Sequence, residues 1–196
     1  MTEHYYTQNP GIAHDEQQVI FNVLDQQLRC TTDAGVFCRD GLDMGTRILL
    51  EALPALEGRI LDLGCGWGPV GCAVGKRYPG CELVLTDVNE RAVGLARRNL
   101  AANGVGNAVC VCGDGYAAVE GSFDAILLNP PIRAGKQLIY ALFEGAKERL
   151  NAGGALYIVI RKQQGAESAE KFLRTIYTDV ARIAREKGYW VLRCQA

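Results

Sequence analysis

Residues Asn129-Pro130-Pro131-Ile132 close an apolar run, Phe123 to Leu128, that reads as a buried strand. Proline removes a backbone donor and fixes φ, and the residue before a proline is pushed out of the α region. The chain beyond the strand is therefore stiff and extended, with the Asn129 side chain and free carbonyls at the strand's carboxyl end. Two acceptors, Asn129 Oδ1 and the Pro130 carbonyl, suit the two hydrogens of an –NH2 group. That chemistry fits transfer of a group to an amine or amide nitrogen. Taken alone, the tetrapeptide fits a rigid turn equally well.

A second cluster lies upstream. The strand Ile60 to Leu63 runs into Asp62-Leu63-Gly64-Cys65-Gly66-Trp67-Gly68-Pro69. Glycine at every second position lets the backbone approach a ligand and turn into a helix. One strand later, Leu83 to Thr86 ends at Asp87, a carboxylate placed to accept from both hydroxyls of a ribose. After the next strand comes Asp114, near where an adenine would lie. Gly66, Gly68 and Gly71 also satisfy the spacing of a dinucleotide fingerprint, a weak signal by itself. Three points argue against a nicotinamide cofactor. Asp62 would repel a pyrophosphate but attract a sulfonium or ammonium. A dehydrogenase has no use for Asn-Pro-Pro here, and the chain is short for a separate hydride-acceptor domain.

These residues must be held by a framework, and the hydrophobic pattern supplies one. Val19, Phe21 and Val23, then Leu28, Cys30 and Thr32, alternate about Asp25-Gln26-Gln27 and predict an N-terminal β-hairpin. Ala34 to Phe37 suggests a further short strand, and Asp43 to Leu56 a helix. From Arg59 onward strands (60–63, 82–86, 107–112, 123–128, 155–160) alternate with helices (69–78, 89–103, 135–150, 166–177). A turn is expected at Asn151 to Gly154, and two strands, 180–185 and 189–194, end the chain as a hairpin. The reading is an α/β, Rossmann-like sheet of seven mostly parallel strands with an antiparallel C-terminal hairpin and helices on both faces. A β extension over 1–40 precedes a catalytic domain over 41–196. Every motif falls at a strand's carboxyl end, where such sheets bind ligands.

Taken together, the acidic-Gly-x-Gly-x-Gly loop, Asp87 and Asn129-Pro130-Pro131-Ile132 resemble the class I S-adenosylmethionine-dependent methyltransferases. Within that class the chain is similar to the methyltransferase small domain family, whose best-known bacterial members methylate guanine N2 in small-subunit ribosomal RNA. The resemblance extends to His4-Tyr5-Tyr6, Thr32 to Phe37, Asp43-x-Gly45-Thr46-Arg47, Asn129 to Lys136 and Gly188-Tyr189. It implies S-adenosyl-L-methionine as cofactor. Gly64, Gly66 and Gly68 would pass its amino-acid portion, with Asp62 beside them. Asp87 would hold the ribose, Asp114 the adenine amine, and Asp43 and Thr46 the methionine end. Asn129 with Pro130, Pro131 and Ile132 would aim the target nitrogen. Asp43 also reads as a helix cap.

Two departures from the family stand out. The best-known members carry an additional N-terminal domain, and this chain has none. Many amino-methyltransferases place an aromatic after Asn-Pro-Pro to stack on the base, a contact of about 1–3 kcal/mol, whereas this chain has Ile132. Phe37 and Tyr116 are the candidate replacements. Arg133 and Lys136 after one strand, with Arg161 and Lys162 after the next, form an expected basic rim for phosphate. The expected partner is RNA, and the expected target an unpaired or flipped base. Methylation of a protein amide (glutamine N5) or a small molecule, and a non-catalytic cofactor-binding module, are the alternatives.

Composition sets outer bounds. The 196 residues suffice for one domain with a full core, and the formal net charge of −1 advertises no global attraction to nucleic acid. Any RNA contact must be local. No apolar run approaches a membrane span, and Met1 to Asp15 lacks a signal-peptide core, so a cytoplasmic location is expected. The eight cysteines include no Cys-x-x-Cys pair and no nearby histidine, which argues for reduced, buried thiols and no metal.

Overall fold

The structure, a computed structural model, describes residues 11–196. The His4-Tyr5-Tyr6 motif therefore lies outside the described residues.

Seven strands form the central sheet: β3 (Arg59–Leu63), β4 (Glu82–Asp87), β5 (Ala108–Cys112), β6 (Phe123–Leu128), β7 (Leu150–Arg161), β8 (Asp179–Glu186) and β9 (Tyr189–Gln195). Their spatial order is β5-β4-β3-β6-β7-β9-β8, with β9 antiparallel to both neighbours and the rest parallel. The chain runs outward through β3, β4 and β5, then returns to place β6 beside β3. That reversal opens a crevice between the carboxyl ends of β3 and β6.

Strand period two sends alternate side chains to opposite faces. Ile60, Leu83, Leu85, Leu127 and Val159 face one core, shared with α1 (Met44–Ala52), α2 (Pro69–Arg77) and α3 (Glu90–Ala102). Leu61, Val84, Ile126, Leu128 and Ile158 face the other, covered by α4 (Lys136–Glu148) and α5 (Ala166–Ile176). In α5 the buried residues Ala166, Ala169, Glu170 and Leu173 recur at helical spacing, with Phe172 and Ile176 partly buried beside them.

The N-terminal hairpin, β1 (Gln17–Val23) and β2 (Gln26–Thr32), is a separate two-stranded sheet. Its Phe21, Val23, Leu28 and Cys30 are buried in the first core. The outer edge of β2 does not pair with a strand among the described residues. Asn99 on α3 accepts from Thr31 N at 2.7 Å and donates to Thr31 O at 2.9 Å. One turn on, Asn103 accepts from Arg29 N at 3.2 Å and donates to Arg29 O at 2.9 Å. Two side-chain amides at i and i+4 thus stand in for a neighbouring strand.

Three expected elements differ. Ala34 to Phe37 is not a strand but a string of turns, with Gly35 and Cys38 at positive φ. Its carbonyls go to side chains: Ala34 O to Arg91, Gly35 O to Asn89 and Phe37 O to Trp67. Helix α1 stops at Ala52 rather than Leu56 because Pro54 holds Leu53 extended, at ψ 139°. Asn151 to Gly154 is not a turn between elements. It is an irregularity within β7, whose pairing with β6 jumps from Phe123↔Leu150 to Ala125↔Ala155.

Candidate active site

The loop after β3 is tied down by backbone groups. Gly64 N and Cys65 N both donate to Thr86 O, at 2.8 and 2.9 Å, and Gly66 N donates to Asp87 Oδ2 at 2.8 Å. Asp87 Oδ1 accepts from Asn89 N at 2.9 Å. Gly64, Gly66 and Gly68 have φ of 73°, 54° and 86°. A Cβ added at Gly64 or Gly66 would meet no protein atom within 4 Å, whereas one at Gly68 would strike Ala96 at 3.0 Å. The first two glycines therefore keep open space at the loop's surface, and the third allows α2 to approach α3. Pro69 opens α2 at a position where its missing N–H costs nothing.

This loop is one wall of a crevice of about 660 Å³. Asp43, Thr46, Asp62, Asp87, Asp114, Asn129, Pro130, Pro131 and Ile132 all line it, as do Phe37 and Arg133. Asp62 is the most unusual of them. It is buried, and its Oδ2 has no hydrogen-bond partner among the described residues. Burial, then the negative charge of Asp87, push its carboxyl up to about 7, against a lowering hydrogen bond from Gly71 N. Burial likewise raises Asp87, although the amides of Asn89, Gly66 and Val88 counteract it. Two desolvated carboxylates on one wall call for a cationic ligand.

The opposite wall holds Asn129, and its amide orientation is fixed. Nδ2 donates to Asp43 Oδ2 and to Thr46 Oγ1, each at 3.0 Å. The Asp43 oxygen accepts, so the nitrogen faces it. Oδ1 is left with no partner among the described residues. Asp43 also caps α1, accepting from Thr46 N at 2.9 Å. The capping and the positioning roles of Asp43 are carried by the same oxygen.

The other sequence-derived residues divide. Phe37 is 38% exposed at the crevice mouth. Tyr116 is not in the wall: its hydroxyl donates to Leu142 O at 2.8 Å and its ring packs against Gly145 of α4. Arg133 reaches the crevice, but Lys136 lies 5.0 Å over the Tyr140 ring and Arg161 5.7 Å over the Tyr189 ring. Lys162 pairs with Glu167 at 3.8 Å and lines a neighbouring groove instead. The expected rim is thus one crevice cation flanked by three more distant ones. Sequence reasoning gave no site role to Trp67, Gln164 or Tyr189, which also line the crevice. Trp67 lies against Phe21 and donates from Nε1 to Phe37 O at 3.0 Å, so the 34–38 turn is anchored as a third wall. His14, the histidine among the described residues, is bonded to Asp33 and is not among the crevice residues.

The residues fit the cofactor implied by such a loop. Positive charge would meet Asp62 and Asp87, Thr86 Oγ1 and Asp62 Oδ2 lack partners among the described residues, and the open surfaces of Gly64 and Gly66 leave room for close approach. Fold and site define an S-adenosylmethionine-dependent methyltransferase. The methyltransferase small domain model matches residues 27–193, and the chain belongs to that family. Over its full length the chain is 38% identical to YbxB, an uncharacterized protein of Bacillus subtilis (strain 168), of which it covers 99%. It is 44% identical over 155 residues to ribosomal RNA small subunit methyltransferase C of Stutzerimonas stutzeri (strain A1501), covering 76% of this chain and 46% of that one. A solved T. thermophilus 16S rRNA N2 methyltransferase in complex with AdoMet and guanosine superposes with a TM-score of 0.83 at 24% identity, covering 95% of this chain and 52% of that one. The chain thus spans nearly all of the Bacillus protein but about half of these two ribosomal RNA enzymes. No helix among the described residues is long and apolar enough to cross a membrane.

Proposed function

We propose that this protein methylates an exocyclic amine of an RNA base, with guanine N2 of ribosomal RNA as the favoured target. One observation carries the reading: the Asn129 amide is locked with Nδ2 inward, leaving Oδ1 as an unpaired acceptor on a crevice wall. The named ribosomal RNA relatives supply the substrate class. When bound, S-adenosylmethionine supplies a methyl group activated by its sulfonium.

The chain's own residues do the rest. Asp87 takes the ribose hydroxyls, Asp114 the adenine amine, and Asp62 with the Gly64–Gly68 loop the cationic amino-acid end. Asn129 Oδ1 and the Pro130 carbonyl accept the two hydrogens of the target –NH2. Those bonds favour a pyramidal nitrogen, aim its lone pair out of the base plane and stabilise developing positive charge. The proton leaves to water, so no histidine is needed. Asp43 and Thr46 position Asn129, and Pro131 with Ile132 keeps the segment stiff. Phe37 stacks in place of an aromatic at 132. Arg133, with Lys136, Arg161 and Lys162 farther out, takes phosphates beside the flipped base.

The test is transfer of label from S-adenosylmethionine to total RNA, protein and metabolite fractions, followed by nucleoside mass spectrometry. Label in N2-methylguanosine is expected. Label confined to protein or metabolites would overturn the RNA reading, and another methylated nucleoside would overturn the guanine-N2 assignment. Cofactor binding with no transfer in any fraction would favour a non-catalytic module.

A further inference from the structure

Charge in this chain is segregated. Residues 161–196 hold eight Lys and Arg against four Asp and Glu, although the whole chain is −1. Several of these cations line a groove of about 430 Å³ on the outer side of α5, β8 and β9: Lys162, Lys171, Arg174, Arg182 and Arg185, with Glu167 and Glu170. Its floor is Trp190, only 4% exposed. The Arg182 guanidinium lies 3.9 Å from that ring's centroid and Arg185 5.3 Å. Cation–π contact of this kind holds a guanidinium beside the ring, and Arg185 keeps its N–H groups free of any ion pair among the described residues. Arg182 is further fixed by the buried Glu170, whose Oε2 it meets at 2.6 Å. Lys171 and Arg185, both exposed, make no ion pair among the described residues.

The groove is joined to the active-site crevice by the short turn Lys162–Gln164 after β7: Lys162 lines the groove and Gln164 the crevice. We propose that this groove is a second docking surface, which holds the phosphate backbone of an RNA strand whose target base occupies the crevice. The inference rests on the RNA reading above and extends it to a face well beyond the Asn129 rim. Cations spaced along an open groove match the repeating charge of a polyanion, and the groove's place across one short turn from the crevice suits one strand occupying both. Because Trp190 is covered, the surface reads backbone charge and not base identity.

The test compares the full chain with the double variant Lys171→Gln, Arg185→Gln, chosen because neither side chain supports the fold through an ion pair. Anisotropy with a labelled mixed-sequence single-stranded RNA of about 16 nucleotides should show binding about tenfold or more weaker. The salt slope should be shallower by about 1.4, two single-strand phosphate contacts. Methyl transfer to RNA should show a raised KM with kcat kept. Unchanged affinity and slope in a variant whose parent methylates RNA would overturn the groove inference and leave the proposed function standing. A parent chain that transfers no label to RNA would overturn both. Unchanged RNA affinity with lost binding to polyglutamate would reassign the groove to an acidic protein and overturn the proposal.

Discussion

The two halves of the crevice are built from different materials. On the β3–β4 side, the geometry is set by backbone: glycines at positive φ, amides donating to Thr86 O, and Asp62 buried with them. On the β6–β7 side it is set by side chains: an asparagine amide held by Asp43 and Thr46, then exposed arginines and lysines. The first half is anionic and desolvated at Asp62, and the second carries exposed cations. A common cofactor can be gripped by rigid backbone, whereas a substrate differing among relatives is met by replaceable side chains. That division is the reason the methyl donor is easier to assign than the acceptor.

The largest blow to the acceptor side should come from Asn129→Ala. Turnover is expected to fall by at least about 10²–10³-fold, the cost of losing one aimed polar group, with calorimetric cofactor affinity unchanged. Equal turnover would remove the aiming role. On the donor side, Asp87→Ala should weaken cofactor binding by about 10- to 100-fold, as befits a charged hydrogen-bonding group of about 1.5–3 kcal/mol. Unaltered affinity in the same titration would count against the ribose contact.

Asp43→Asn probes the joint between the halves. Asparagine caps helices as well as aspartate does, so the unfolding temperature should hold. The lost carboxylate frees the Asn129 amide to turn, and kcat should drop about tenfold. A fall in unfolding temperature with kcat intact would leave Asp43 as a cap alone.

The smallest effect is a pH signature of the donor side. The Asp62 carboxyl sits at about 7, above its ordinary 3.8. A raised carboxyl pKa means that the folded cofactor-free protein prefers the proton. Its contribution to stability is full below the unfolded pKa and lost as pH rises through about 7. Asp62→Asn should therefore gain in unfolding temperature over the parent as pH rises from 4 toward 7, with no further gain above. A cationic ligand favours the charged form, so parent cofactor affinity should rise between pH 6 and 8. A flat thermal difference across that range would refute the buried-charge account.

The sheet and its helices were legible because the core strands are mostly apolar runs punctuated by glycine, proline or asparagine, as in Leu128-Asn129-Pro130. The loop and Asn129 were legible because chemistry forced unusual residues into consecutive positions. Less visible was anything decided by side chains distant in sequence. Nothing local in Asp43 predicts that it orients Asn129, 86 positions later. The stretch 34–37 suggested a short strand, yet Trp67, Asn89 and Arg91 claim its carbonyls. Tyr116 sits in the right stretch for a stacking ring but spends its hydroxyl on Leu142.

Asn99 and Asn103 give the N-terminal hairpin its address. Among side chains, only a primary amide offers donor and acceptor together in the plane of a peptide group, and two prongs one helical turn apart match alternate residues of an extended chain. Leucine at either position would keep the volume but strand a peptide N–H and C=O without mates. The hairpin is thus keyed to a single register on α3, and a slip by one residue, which would turn Phe21 and Leu28 outward, no longer fits the lock.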